Sequence, residues 1–145
     1  WEHEHIPNSV FAIAAELERA GDYTKGIAKR VERCLRAPML IEPPAAIFRM
    51  GSLAQGMLHT SLDAFVRLDV TLARSLASED EQVDQLEDAV VAELMQVART
   101  NPLQLDCAIY LLDVVHTLER LADRTTNIAE RVIFIATSSI EHLNA

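Results

Sequence analysis

The segment Glu16 to Val31 returns 101 positions later as Thr117 to Val132, and such a return is duplication rather than chance. Each copy carries an acidic pair four residues apart, Glu18 with Asp22 and Glu119 with Asp123. On a helix, residues at this spacing lie one above the other with Cβ atoms about 5–6 Å apart, and like charges there are mutually destabilising unless something positive sits between them. The spacing points first to a cation.

The rest of the chain suits a helical repeat. Half of its residues are apolar but only 5% are aromatic, and long runs are rich in Ala, Leu, Val, Glu and Arg. A length of 145 residues fits one domain, or one and a fraction, and is enough to bury a core. Acidic residues outnumber basic ones 22 to 13, giving a formal charge of −9. That balance carries no electrostatic footprint for nucleic acid or an anionic membrane surface, so cations or basic protein patches are the expected partners. Cys34 and Cys107 have no metal-binding spacing and read as two lone, buried thiols of a reducing compartment. No apolar run reaches the ~18–20 residues of a membrane span, and the start has no signal-peptide form, so the expectation is a soluble chain.

Breakers divide the sequence into four expected helices. The first runs from Asn8 or Ser9 to Arg36 and is followed by a linker over residues 38–44 that begins at Pro38 and ends at Pro44. The second runs from Ala45 to Ala77. The third starts from a capping box at Ser78 to Glu81 and reaches Thr100. Asn101-Pro102 then reads as an N-cap with proline at the first helical position, and the last helix continues to Ser139. Short connections around Ser78 and Asn101 make the last three helices antiparallel neighbours in an up-down bundle.

Helical periodicity places the acidic residues. The stripe of the last helix is Leu111, Val115, Leu118, Ala122, Ala129, Ile133 and Ala136, with Glu119, Asp123, Thr126 and Glu130 on its flank. The first helix shows Val10, Leu17, Gly21 and Ala28 as a stripe, with Glu18 and Asp22 beside it. The third has Val83, Leu86, Val90, Leu94 and Val97, with Asp80, Asp84 and Glu87 along one side. If the third and fourth helices fold back at Thr100 and Asn101, residues whose numbers sum to about 201 face each other, since both helices rise about 1.5 Å per residue. Asp80, Asp84, Glu119 and Asp123 then converge within about one helical turn. Carboxylate clusters suit oxygen-preferring ions such as Mg, Mn, Ca or iron, and the lack of a converging Cys or His argues against structural zinc. The bland counterpart is a salt-bridged bundle surface in which Arg19, Arg30, Arg120, Arg124 and Arg131 pair with these acids.

Leu17-Glu-Arg-Ala-Gly-Asp22 with Gly26-Ile-Ala28, and Leu118-Glu-Arg-Leu-Ala-Asp123 with Asn127-Ile-Ala-Glu130, resemble the two signature stretches of the PhoU family of phosphate-specific transport accessory and regulatory proteins. Asp80-Glu-Gln-Val-Asp84 resembles the partnering acidic motif. The resemblance implies two tandem three-helix bundles with metal bound at E(D)XXXD motifs, here Asp80, Asp84, Glu119, Asp123, Glu18 and Asp22, as multinuclear iron clusters in some members. It also implies a cytoplasmic negative regulator, not an enzyme, that contacts the ATPase subunit of the phosphate importer and a sensor histidine kinase and represses phosphate-starvation genes. Aligned on the repeat, Trp1 corresponds to Pro102. Residues 1–37 then form the third helix of an incomplete first repeat, and residues 45–145 form a complete second one. The unpartnered first helix is expected to pack as a fourth helix on the second bundle, or to swap into another copy as a homo-oligomer, because exposed apolar area costs about 25 cal/mol per Å².

Other features read as structural. Glu2-x-x-His5 and Asp113-x-x-His116 have the spacing of di-iron carboxylate bundles, but the first sits at an expected frayed end and the second on an outer face. His59 and His142 read as surface or satisfied histidines, and Met39, Met50, Met57 and Met95 as core filler. Trp1 and Phe48 read as packing anchors or a partner interface. No phosphate-cradling loop, activated nucleophile or nucleotide fingerprint is present. The alternative to a metal-binding regulator is a metal-free helical adapter that docks basic partner surfaces through its acidic faces.

Overall fold

The computed structural model describes residues 2–138, 142 and 143, with side chains from residue 7 onward. The described residues form α1 (Glu2–Leu35), α2 (Ala45–Arg67), α3 (Val70–Arg74), α4 (Leu76–Thr100), a 3-10 turn (Pro102–Gln104) and α5 (Leu105–Thr137). The architecture is an all-α bundle centred on α5, which packs against α1, α2 and α4.

The apolar stripes of α4 and α5 become the core. Val83, Val90 and Leu94 of α4 are fully buried, as are Val115, Ala122, Ala129 and Ile133 of α5. Ala136, expected to extend the α5 stripe, is exposed because the helix ends at Thr137, where Ser138 adopts the left-handed conformation. Met50 and Met57 fill the core, whereas Met39 and Met95 are largely exposed, so only half of the expected methionine filler is inside.

Three boundaries differ from the sequence reading. Helix α1 begins at Glu2, with Pro7 inside it. A proline this near the start removes only an early intrahelical hydrogen bond. The helix expected over 45–77 breaks at Leu68, which takes φ 51° and ψ 43°. There the Leu68 N–H donates to Phe65 O at 3.3 Å and the Asp69 N–H donates to Ala64 O at 2.9 Å, the paired bonds of a Schellman motif built without glycine. Asp69 then caps the short α3 by accepting from the Leu72 N–H at 2.9 Å. Asp69→Ala is expected to cost about 1 kcal/mol of stability, read as a lowered urea midpoint. The capping box at Ser78 is not formed. Helix α4 starts earlier, at Leu76, and the Ser78 hydroxyl donates to Ser75 O instead. Asn101 does act as an N-cap, accepting from the Leu103 N–H at 3.1 Å, but it opens a 3-10 turn before α5.

Helix α1 docks antiparallel on α5. Its Glu16 meets Asn127 and Arg124, Arg30 meets Asp113, and Cys34 meets Cys107, so numbers rise along one helix as they fall along the other. Ala20 and Leu121 share one small buried cluster, and they are the same position in the two copies of the duplicated segment. The two copies therefore pack on each other about a local pseudo-two-fold axis. As expected, α1 is a fourth helix on the bundle, but it uses a different face. Ile13, Ala20 and Cys34 are buried, while Val10 is 44% and Leu17 36% exposed and Gly21 and Ala28 face solvent.

The same docking corrects the reading of the cysteines. Cys34, in the last turn of α1, and Cys107, in the first turn of α5, are joined in a disulfide with their Cα atoms 4.6 Å apart. Antiparallel packing brings two helix ends together that are 73 residues apart in sequence. They are not lone thiols, and no reducing compartment follows from them.

Candidate functional site

The fold brings acidic side chains of α4 and α5 together. Asp84 lies in the field of Asp123, and the Glu119 carboxyl shares a hydrogen bond with Asp123 while feeling Glu87 and Asp84. Glu87 faces His116 across the hairpin, with Nδ1 3.6 Å from Oε2. The numbers of that facing pair sum to 203, two beyond the expected register, because the 3-10 turn is interposed before α5. Asp84, Glu119 and Asp123 thus lie within electrostatic reach of one another across the hairpin. Asp80, one turn earlier on α4, is only 2% exposed.

Burial and crowding set the charge state. Partial burial first, then the hydrogen bond and charge of Asp123, then Glu87 and Asp84, push the Glu119 carboxyl up to about 8. Burial first, then the charge of Asp123, raises Asp84 above the ordinary carboxylate range. Glu87 is raised by burial, against the opposing pull of His116. The preference of the fold for protonated Glu119 gives stability that is fully present below its ordinary pKa near 4.5 and is lost as pH rises through about 8. Glu119→Gln is expected to flatten the fall of melting temperature between those limits in chelator-treated protein, and an unchanged slope would show that Glu119 is not the group responsible.

Three of the expected arginine partners, Arg19, Arg30 and Arg124, go elsewhere. Arg124 and Arg19 approach Glu16 at 3.5 and 3.7 Å, and Arg30 approaches Asp113 at 3.6 Å. No ion pair among the described residues joins an arginine to Asp84, Glu119 or Asp123. These arginine pairs lie on α1 and along the α1–α5 seam. Asp113 and His116 diverge, the first towards α1 and the second towards α4, so they do not form a di-iron pair. The Glu2-x-x-His5 side chains and Trp1 lie outside the described residues. Glu18 and Asp22 are exposed on α1, without an ion pair among the described residues. Phe48 is exposed, and His59 lies 3.9 Å from Asp63 on the outer face of α2.

The donor set has the chemistry of a cation site: several carboxylates, three of them (Asp84, Glu87 and Glu119) raised in pKa by burial first and by neighbouring carboxylates second, with an imidazole alongside. As the side chains stand, no group of three His, Cys, Asp or Glu among the described residues is gathered to hold a metal ion. Glu119 and Asp123 are hydrogen-bonded to each other instead, and a cation bound there would replace that hydrogen bond. Sequence reasoning placed His116 on the outer face and missed its approach to Glu87. The signal was the i, i+3 step from His116 to Glu119, which puts both on the α4 side of α5.

Duplicated helices packed about a pseudo-two-fold axis, with acidic residues facing across a hairpin, place the chain among all-α helical bundle proteins built on a repeat. A PhoU domain matches residues 47–132, and the chain belongs to the PhoU family. The chain is 38% identical over 122 residues to the phosphate-specific transport system accessory protein PhoU homolog of Caulobacter vibrioides, a match covering 84% of this chain and 53% of that protein. It is 32% identical over 136 residues to the homolog of Streptococcus pneumoniae, covering 94% and 62% respectively. The crystal structure of the phosphate transport system regulatory protein PhoU from Streptococcus pneumoniae superposes with a TM-score of 0.88 at 30% identity, over 98% of this chain and 67% of that one. PhoU from Pseudomonas aeruginosa gives 0.86 at 29% identity, over 95% and 66%. The chain spans between half and two thirds of the length of these curated relatives.

Proposed function

We propose that this chain acts in a negative regulator of phosphate uptake and of the phosphate-starvation response, working by protein contact and not by catalysis. Membership of a family whose relatives are named phosphate-specific transport accessory proteins carries the reading. The partners are the ATPase subunit of a phosphate transporter and a sensor histidine kinase, engaged on the cytoplasmic side of the membrane. No helix among the described residues is long and apolar enough to cross a membrane, which accords with recruitment through partners. Residues 45–145 form one complete repeat, residues 38–44 its linker, and residues 1–37 the last helix of another.

Within this reading, Asp84, Glu119 and Asp123, with Asp80 and Glu87 beside them, hold a divalent or trivalent cation, iron included. Glu18 and Asp22 form the equivalent half-site on α1. A bound cation would neutralise the crowded carboxylates and offer open coordination positions to phosphate or to a partner's oxygen group. The test is a phosphate-starvation reporter in cells lacking the native full-length protein. Restoring that protein should silence the reporter in high phosphate, and its counterpart with all four of Asp80, Asp84, Glu119 and Asp123 changed to alanine should not. A reporter that stays silent after deletion would remove the regulatory reading.

A metal-free adapter that docks basic partner surfaces through its acidic faces is the second reading, favoured by Glu18 and Asp22, which α1 leaves exposed to solvent. It requires the quadruple variant to silence the reporter as well as the parent.

A further inference from the structure

Besides the main-chain crossover over residues 36–44, the disulfide is the one covalent cross-link between α1 and the bundle among the described residues, and its surroundings are suited to both of its redox states. Cys34 Sγ lies 3.8 Å from the Cys107 carbonyl oxygen, so a reduced Cys34 thiol has an acceptor already in reach. The two sulfurs also sit at opposite helix ends. Cys107 is in the first turn of α5, where the helix dipole stabilises a thiolate, and Cys34 is in the last turn of α1, where it does not. Cys34 is the more accessible of the two, at 7% exposure against 0%. Attack at Cys34 with Cys107 as the leaving thiolate is thus the favoured direction of exchange, since a stabilised thiolate leaves faster.

Little else holds that end of the molecule. Beyond the clip, the crossover from α1 to α2 is fixed by burial of Ile41, a bond from Gln104 Nε2 to Leu40 O at 3.2 Å, and a contact from Asn101 Nδ2 to Met39 Sδ at 3.2 Å. Among the described residues, the nearest ion pair between α1 and α5, Arg30 with Asp113, is part-exposed and a turn away.

We propose that Cys34–Cys107 is a reversible redox clip, opened by thiols of the glutathione class, that sets how firmly the C-terminal end of α1 and its crossover are held on α5. A glutathione thiolate attacks Cys34 Sγ, the sulfur–sulfur bond breaks, and the electron pair leaves on Cys107 Sγ, which takes a proton. A second glutathione thiolate attacks the mixed disulfide, releasing the Cys34 thiolate, which is protonated, and glutathione disulfide. Two electrons pass from two glutathione molecules to the protein.

The experiment equilibrates the full chain in buffers of varied glutathione to glutathione disulfide ratio, quenches with acid, alkylates with a maleimide and counts thiols by mass. Amide hydrogen exchange is followed on the same samples. The expected result is two thiols appearing together as the ratio rises, with exchange over residues 31–41 at least about tenfold faster in the reduced form and exchange over 84–94 and 115–123 unchanged. Cys34→Ser should show the fast exchange at every ratio. Three results overturn the proposal: two free thiols at every ratio, a bond that resists millimolar glutathione, or equal exchange in the two forms. The thiol count and wild-type exchange decide the matter even if the serine variant fails to fold.

Discussion

Asp84→Ala combined with Asp123→Ala is expected to weaken Mn²⁺ binding by at least about a hundredfold, since even outer partners of a metal site typically contribute 10–100-fold. Free Mn²⁺ measured by its electron paramagnetic resonance signal during titration reads this directly. The two residues come from facing helices and already interact through space, so removing both strips carboxylate from each side of the cluster. The fold should tolerate the loss. Burial is the main cause that raises Glu119 and Asp84, with repulsion from neighbouring carboxylates second; the double substitution removes the part-buried Asp84 carboxyl and the repulsion that Asp84 and Asp123 exert on Glu119. The double variant should therefore melt no lower than the metal-free parent at pH 8. Unchanged Mn²⁺ affinity would place the ion elsewhere.

Leu94→Ala should have the opposite character, a large loss of stability with the acidic cluster left in place. Leu94 is fully buried in the core on which α2, α4 and α5 converge. Truncating a side chain in such a setting removes its transfer free energy and leaves a cavity, a loss of about 2–5 kcal/mol. Denaturant unfolding monitored by circular dichroism measures it. A loss below about 1 kcal/mol would mean that the core there collapses around the gap or is less tightly packed than described.

The contrast between these two sites follows what the sequence makes legible. Helices α4 and α5 could be read nearly in full, since Val83, Val90, Leu94, Val115, Ala122 and Ile133 recur with helical period and bury together. The facing of acidic residues on α4 and α5 could be read too, because a short connection at Asn101 leaves two long helices one way to lie. Helix α1 could not, for it carries two candidate stripes. Val10, Leu17, Gly21 and Ala28 match the buried stripe of α5 copy for copy, yet Ile13, Ala20 and Cys34 face the bundle. Periodicity shows that a face is apolar but not which neighbour covers it.

The same gap explains the cysteines. The numbers of Cys34 and Cys107 sum to 141, as do those of Ala20 and Leu121, so the pairing becomes apparent only once the antiparallel register of α1 on α5 is known. The break at Leu68 was hidden for a local reason: a leucine in the left-handed conformation replaces the glycine that ordinarily marks a helix end. His116 is exposed as its outer-face phase implies, and its approach to Glu87 was not apparent because side-chain reach adds to helical phase.

Elemental analysis of the chain purified without chelator, beside the variant with Asp80, Asp84, Glu119 and Asp123 all changed to alanine and still helical by circular dichroism, tests the cation site most directly. The account predicts iron or another oxygen-preferring metal in the parent, near or above one equivalent, and none in the variant. Equal and negligible metal in both, with no change in the parent's melting temperature on adding Mn²⁺ or Fe²⁺, would contradict it and leave the acidic faces as docking surfaces.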